Sequence, residues 1–213
     1  MDKRAPHIAM AQEQPIGKRG YHHGNLRAAL VSATRELLAA RGPRGFTLAD
    51  AARKAGVSAA APYRHFTDRD ALMRAVAHEG FILFGKRIFA ATKDHRDPRE
   101  ALVAMGRAYL AFARAEPGYY AAMFALRHGD DAPPDEEHDA AFQLLISTIA
   151  SILAERRLPD DAACPLAFQI WSLSHGVATL DMAGHLDDAV MSAEDILVGG
   201  AMALLAANGR PAD

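Results

Sequence analysis

The chain has 213 residues, half of them hydrophobic and 23% charged, with a single cysteine, Cys164. This excludes a disordered or collagen-like chain, an intrachain disulfide and a four-cysteine zinc site, and it allows one large domain or two small ones. The net charge of −2 hides an asymmetry: residues 1–69 carry 12 Lys/Arg and 5 Asp/Glu (+7), whereas residues 70–213 carry 12 and 21 (−9). A basic N-terminal third on an acidic body points either to a polyanion-binding module on a body that does not bind polyanions, or to chance clustering on solvated faces. The longest apolar stretch, 196–207, is about half the roughly 20 residues a membrane helix needs. The first twenty residues have no apolar core of the secretory type. The expectation is a cytoplasmic protein with no membrane partner.

Residues 1–21 mix Pro, Gly, Gln and charge without periodicity and are expected to form a flexible basic arm. Lys18, Arg19, His22 and His23 leave two readings open: an arm that reaches a minor groove, or an untethered tail. The first helix is predicted from about Asn25 to Ala40, with Leu26, Leu30, Ala33 and Leu37 on one stripe and Gly42-Pro43 at its end. Thr47-Leu48-Ala49-Asp50 is a capping-box pattern that starts a two-turn helix ended by Gly56. Ser58 can cap a second short helix, Ala59–Phe66. Two short helices joined by Gly56-Val57-Ser58 predict a helix-turn-helix. Ala51 and Ala52 are small enough for the pair to cross closely, and Val57 can plug the corner.

A fourth helix is expected from Thr67 or Asp68 to about Ala91. Asp97-Pro98-Arg99-Glu100 opens a fifth, with Leu102, Met105, Tyr109 and Phe112 on its stripe. Pro117-Gly118 precedes a short helix, Tyr119–Leu126. Residues 128–139 hold six carboxylates with His128 and His138; two prolines and the lack of a ligand spacing favour a solvated loop over a metal site. Three further helices, about 140–156, 162–183 and 192–207, give an all-α chain of about nine helices.

The string GVSAAAPYRHFTDRDALM (56–73), with FTLADAARKA before it, resembles the N-terminal domain of TetR/AcrR-type transcriptional regulators. The resemblance covers about residues 22–84, and several spaced elements match together. QIWSLSHGVATLDM (169–182), with Trp171, His175 and Gly176, is similar to the WHG-type ligand-binding domain found in one branch of that family. The resemblance implies a DNA-binding domain over 22–84 and a ligand-binding and dimerisation domain over 85–213, after the arm over 1–21. It also implies a ligand-responsive repressor that meets double-stranded operator DNA as a homodimer.

By position, the resemblance implies that Thr47, Tyr63, His65 and Arg69 contact phosphates and that Ala59, Ala60, Ala61 and Arg64 face base edges, behind the Ser58 cap. The residue chemistry agrees in part. Arg44, Arg53 and Lys54 can add salt-sensitive, sequence-independent affinity. Arg64 alone in this segment can make a bidentate contact to guanine, while three alanines offer only apolar contact. Pro62 departs from the family pattern, in which many members carry Leu, and removes one backbone hydrogen bond. Phe66 is expected in the core. Tyr63 is expected on DNA, with core packing as its alternative.

In the C-terminal body Met105, Tyr109, Phe112, Met123, Phe168, Trp171 and His175 are candidates for a ligand cavity, since pockets between bundle helices are lined by such residues. His175 could orient a ligand or report pH, or be a satisfied core histidine. The small faces Ser172, Gly176, Thr179, Ala183 and Ile196, Gly200, Ala203, Ala207 are expected either at a two-fold interface or packed within the monomer. No metal or cofactor is expected. An all-helical enzyme is the competing class, but the chain has no Gly-x-Ser-x-Gly elbow, His-Glu-x-x-His or phosphate loop. A small-molecule-binding adaptor without DNA binding is the third reading.

Overall fold

The computed structural model describes residues 26–125 and 136–208. Residues 1–25, with the basic arm, His22, His23 and the expected helix start Asn25, and residues 126–135, with Leu126 and most of the acidic loop, lie outside the described residues, as do the side chains of 136–139. Among the described residues there are eight α-helices and no strand: α1 Leu26–Arg41, α2 Leu48–Lys54, α3 Arg69–Thr92, α4 Pro98–Ala115, α5 Pro117–Ala125, α6 Glu136–Glu155, α7 Ala163–Met182 and α8 Ala193–Ala207. The helix starts follow the sequence signals. The Thr47 hydroxyl accepts from the Asp50 N–H at 3.2 Å, and the Asp50 carboxylate accepts from the Thr47 N–H at 3.0 Å, which closes the capping box on α2. Asp68, Asp97 and Ser192 cap α3, α4 and α8.

Two expectations differ: α6 begins at Glu136, four residues inside the segment expected as loop, and the ninth expected helix is not an α-helix. Where an α-helix was expected over Ala59–Phe66, the chain forms a 3-10 turn, Pro62–Arg64, flanked by turns. Its ladder runs from residue i to i−3: Ala61 donates to Ser58, Arg64 to Ala61 and His65 to Pro62. Pro62 has no N–H to carry an i−4 ladder through the middle of so short a segment, and a tighter turn is what remains. Gly56, at φ +73°, makes the corner before it, and the Val57 N–H reaches back to Ala52 at 2.9 Å.

Two hydrophobic cores result. The head core gathers Leu30, Leu37, Leu38, Phe46, Leu48, Phe66, Leu72 and Val76 from α1 to α3. The body core gathers Ile88, Leu102, Phe112, Ile149, Leu153, Leu166 and Leu197 from α3 to α8. Helix α3 serves both, changing cores between Val76 and Phe81. Helix α5 does the same across its width: Ala122 is buried in the head, Tyr120 and Met123 in the body. Its contact with α1 is backbone-close, because a Cβ on Gly118 would stand 2.1 Å from the Arg35 carbonyl oxygen. Glu116, where α4 meets α5, binds Arg87 of α3 at 2.7 Å and lies 3.7 Å from Arg35 of α1.

Candidate functional site

Pro62 and Phe66 are the buried pins of the segment after the turn; Phe66 sits in the head core, as expected. Between and before them Ser58, Ala59, Ala60, Tyr63, Arg64 and His65 are exposed, with Ala61 half-buried. Tyr63 is 64% exposed and does not pack in the head core. Ser58 and Ala61 are joined through the backbone alone, which keeps the three alanines on the outer face.

The cations around this face differ in how far the protein already uses them. Lys54 is paired with Glu36 at 2.7 Å, and Arg53 with Asp50. The Thr47 hydroxyl also donates to Asp50 at 2.7 Å, and this bond, first among several, lowers the Asp50 carboxyl below its usual range. Arg69 is turned inward: its guanidinium donates to the Phe46 carbonyl at 3.3 Å and to that of Pro43, and it stacks 4.7 Å over the Phe46 ring. It ties the loop before α2 to the start of α3. Among the described residues, no acidic side chain pairs with Arg64 or Arg44, and both are exposed. Sequence periodicity gave no signal for the inward turn of Arg69, whose acceptors lie 23 and 26 residues earlier.

The body holds a cavity of about 480 Å³, open on one side, between α3, α4, α5, α6, α7 and α8. Four predicted residues line it: Met105, Tyr109, Phe168 and Trp171. Phe112, Met123 and His175 are not on its wall. Phe112 is fully buried, with Phe84 edge-on at 5.1 Å and Arg87 5.5 Å from its ring centre. Met123 fills the groove that Gly80 leaves on α3, where an added Cβ would meet its sulfur at 3.0 Å. His175 stands behind the wall: its Nδ1 is 2.8 Å from the Tyr120 hydroxyl, and its ring stacks on Tyr120 at 5.5 Å. Phe124 and Phe142, from the wider aromatic set of which only a subset was expected at the cavity, also line it; Phe84, Gly106 and Ala201 are unforeseen wall residues. Helical spacing marks such residues as inward-facing but does not say which of them border a void.

Burial pushes the His175 imidazole below its ordinary value of 6.5. The unfolded chain therefore takes up this proton first as pH falls below about 6.5, and the folded state loses relative stability until the buried ring is itself protonated. His175→Gln is expected to make the fall in melting temperature between pH 7 and pH 5 shallower, as followed by thermal melts across that range.

On α7 the small residues Ser172, Gly176, Thr179 and Ala183 are exposed, and a Cβ on Gly176 would meet nothing within 4 Å. Ala203 and Ala207 of α8 are exposed too, and Ile196 is half-buried. Gly200 differs: a Cβ there would stand 2.6 Å from Leu173, so its smallness serves the α7–α8 contact inside the monomer. Gly199, beside it, is the open position. Leu180, Met182, Val190 and Met191 add exposed apolar surface around the α7–α8 connection.

A family model for bacterial regulatory proteins of the tetR family matches residues 30–76, and one for the tetracyclin repressor-like C-terminal domain matches residues 102–199. An uncharacterised HTH-type transcriptional regulator of Mycobacterium tuberculosis is 27% identical over 165 residues, 76% of this chain and 72% of that protein. A protein of unknown function from Rhodococcus sp. RHA1 is 30% identical with a TM-score of 0.73, covering 93% of this chain and all of its own. AibR, solved in complex with isovaleryl coenzyme A and operator DNA, superposes with a TM-score of 0.61 at 19% identity, over 84% of this chain and 97% of its own. With both halves of the chain matched by models of one family, the matched head carrying the turn at Gly56, this protein belongs to the TetR family of helix-turn-helix, DNA-binding transcriptional regulators.

Proposed function

We propose that the protein is a ligand-responsive repressor that binds a palindromic operator as a homodimer in the cytoplasm. The division into a head over 22–84 and a ligand-binding and dimerisation body over 85–213 belongs to this reading. One observation carries it: the body cavity and the head share a helix. Phe124 of α5 lines the cavity, while Ala122 two residues earlier is buried in the head core and Gly118 lies against the backbone of α1. A ligand that prefers one position of α5 biases the position of the head, and its differential affinity sets how far.

On DNA, Ala59, Ala60, Ala61 and Arg64 face the bases, and Thr47, Ser58, Tyr63, His65, Arg44 and Lys54 meet the backbone. Arg69 acts from behind, holding the loop that presents Arg44 and Thr47. The exposed faces of α7 and α8, around Gly176, Gly199 and Ala203, pair across a two-fold axis. Such a dimer reads half-sites about 34–36 Å apart. The AibR complex contains a small molecule and operator DNA on this fold, which supports a two-site arrangement here. The reading assigns no enzymatic role.

A gel shift against the DNA upstream of the protein's own coding region tests this. The expected result is a complex of one dimer per palindrome whose affinity falls steeply with salt, since each phosphate contact releases counterions. A salt-insensitive shift, or none at any protein concentration, removes the repressor reading and leaves the adaptor.

A further inference from the structure

Among the described residues the cavity wall carries no formal charge: its polar members are Gln143, Cys164, Ser174, Tyr109 and the Trp171 indole N–H, and no described Asp, Glu, Lys, Arg or His lines it. The Ser174 hydroxyl is already committed to the Ile170 carbonyl at 2.8 Å. The Tyr109 hydroxyl is placed otherwise. It lies 3.4 Å from the Tyr120 hydroxyl and 3.4 Å from His175 Nδ1, while those two hold each other at 2.8 Å. Its proton has only long partners inside the protein, which leaves it as a donor for whatever fills the space. Burial raises this phenol far above its ordinary value, so it stays a neutral donor at every working pH. Around it the wall is aromatic: Phe84 meets Tyr109 edge-on at 5.4 Å, and Phe142 and Trp171 lie 5.7 Å apart.

We propose that the ligand of this cavity is an uncharged, ring-containing apolar molecule with one neutral acceptor, such as a ketone or ester carbonyl, that accepts from the Tyr109 hydroxyl. The inference rests on the reading of the cavity as the control site. An anion here gives up much of its hydration and meets no counter-charge on the described wall. A cation gains aromatic faces, but its desolvation penalty is larger. The carbonyl loses little on entry and gains the Tyr109 hydroxyl as a donor. Its ring body occupies the space between Phe84, Phe142 and Trp171.

The test uses N-phenyl-1-naphthylamine, an uncharged dye that fluoresces in apolar sites, displaced from the full-length protein by three naphthalenes with different head groups. These are 2-acetonaphthone, 2-naphthoate and trimethyl(2-naphthyl)ammonium. The ketone is expected to displace the dye at a concentration at least about 10-fold below either ion. An ion that competes within about threefold of the ketone overturns the proposal. In Tyr109→Phe the ketone is expected to lose about 3–10-fold while 2-ethylnaphthalene, which has no acceptor, is unchanged. Equal losses for both overturn the Tyr109 contact.

Val103→Phe narrows the cavity from its half-buried wall and is expected to weaken every naphthalene, with a melt to show that it folds. Ala201→Val serves if it does not. Undiminished ketone binding in a folded narrowed variant places the ligand elsewhere and overturns the proposal. The same compounds added to the operator gel shift separate the two claims. Charge-selective binding with unchanged DNA affinity defeats the control reading and leaves the ligand class standing. Loss of charge selectivity defeats the ligand class whatever the DNA does.

Discussion

Arg64→Ala is expected to lower operator affinity by about 10–100-fold, with no change in melting temperature. The expectation follows from what surrounds this side chain. It is exposed on the segment that follows the Gly56 turn, held in place by the buried Pro62 and Phe66, and paired with no acidic group among the described residues. Removing it takes nothing from either core. The guanidinium is the only group on this face that can give two parallel hydrogen bonds to a guanine edge, because the neighbours on that side are alanines. Arg64→Lys keeps the charge and loses the fork, so it is expected to restore the salt dependence without the sequence preference. The measurement is a gel shift on the operator and on a scrambled duplex of equal length. Arg64→Ala that weakens both equally makes this residue a phosphate contact, and the reading of the bases then falls to the alanines.

Phe112→Ala is expected to destabilise the protein by about 3–5 kcal/mol, the usual cost of emptying an aromatic site in a packed core. Phe112 is 0% exposed, lies under Phe84, has Arg87 beside its ring, and is part of the body core. For a chain of this size the loss corresponds to roughly 10 °C in melting temperature. Dye affinity in the folded protein is expected to fall far less than stability, because Phe112 is not on the cavity wall. Urea unfolding followed alongside dye titration separates the two. A large loss of dye binding in a still-stable protein places Phe112 at the ligand after all.

The helices themselves were legible because their causes are local. Thr47 with Asp50, Asp68, Asp97 before Pro98, and Ser192 are each a cap within a few residues of the helix they start, and apolar spacing marked the inward faces. Phe66 is buried, as a core aromatic was expected to be, and Tyr63, placed outside by the family motif rather than by spacing, is exposed. Pro62 was visible as a break in the family pattern, but its outcome was not. Whether a proline bends an α-helix or leaves a 3-10 turn depends on what holds the two ends, here Gly56 on one side and Phe66 in the head core on the other.

What the sequence by itself determined, then, is an all-helical chain with a basic, turn-containing head and an acidic body, since periodicity, caps and charge are properties of neighbouring residues. Only the tertiary structure decided that Arg69 faces inward, that Gly200 serves the monomer while Gly199 stays open, and that Phe84, Phe124 and Phe142 border the cavity where Phe112, Met123 and His175 do not. The physical reason is range. A helix face is set within four residues, whereas a void is the space left where six helices fail to fill one another's grooves, and its walls come from residues as far apart as Phe81 and Met202.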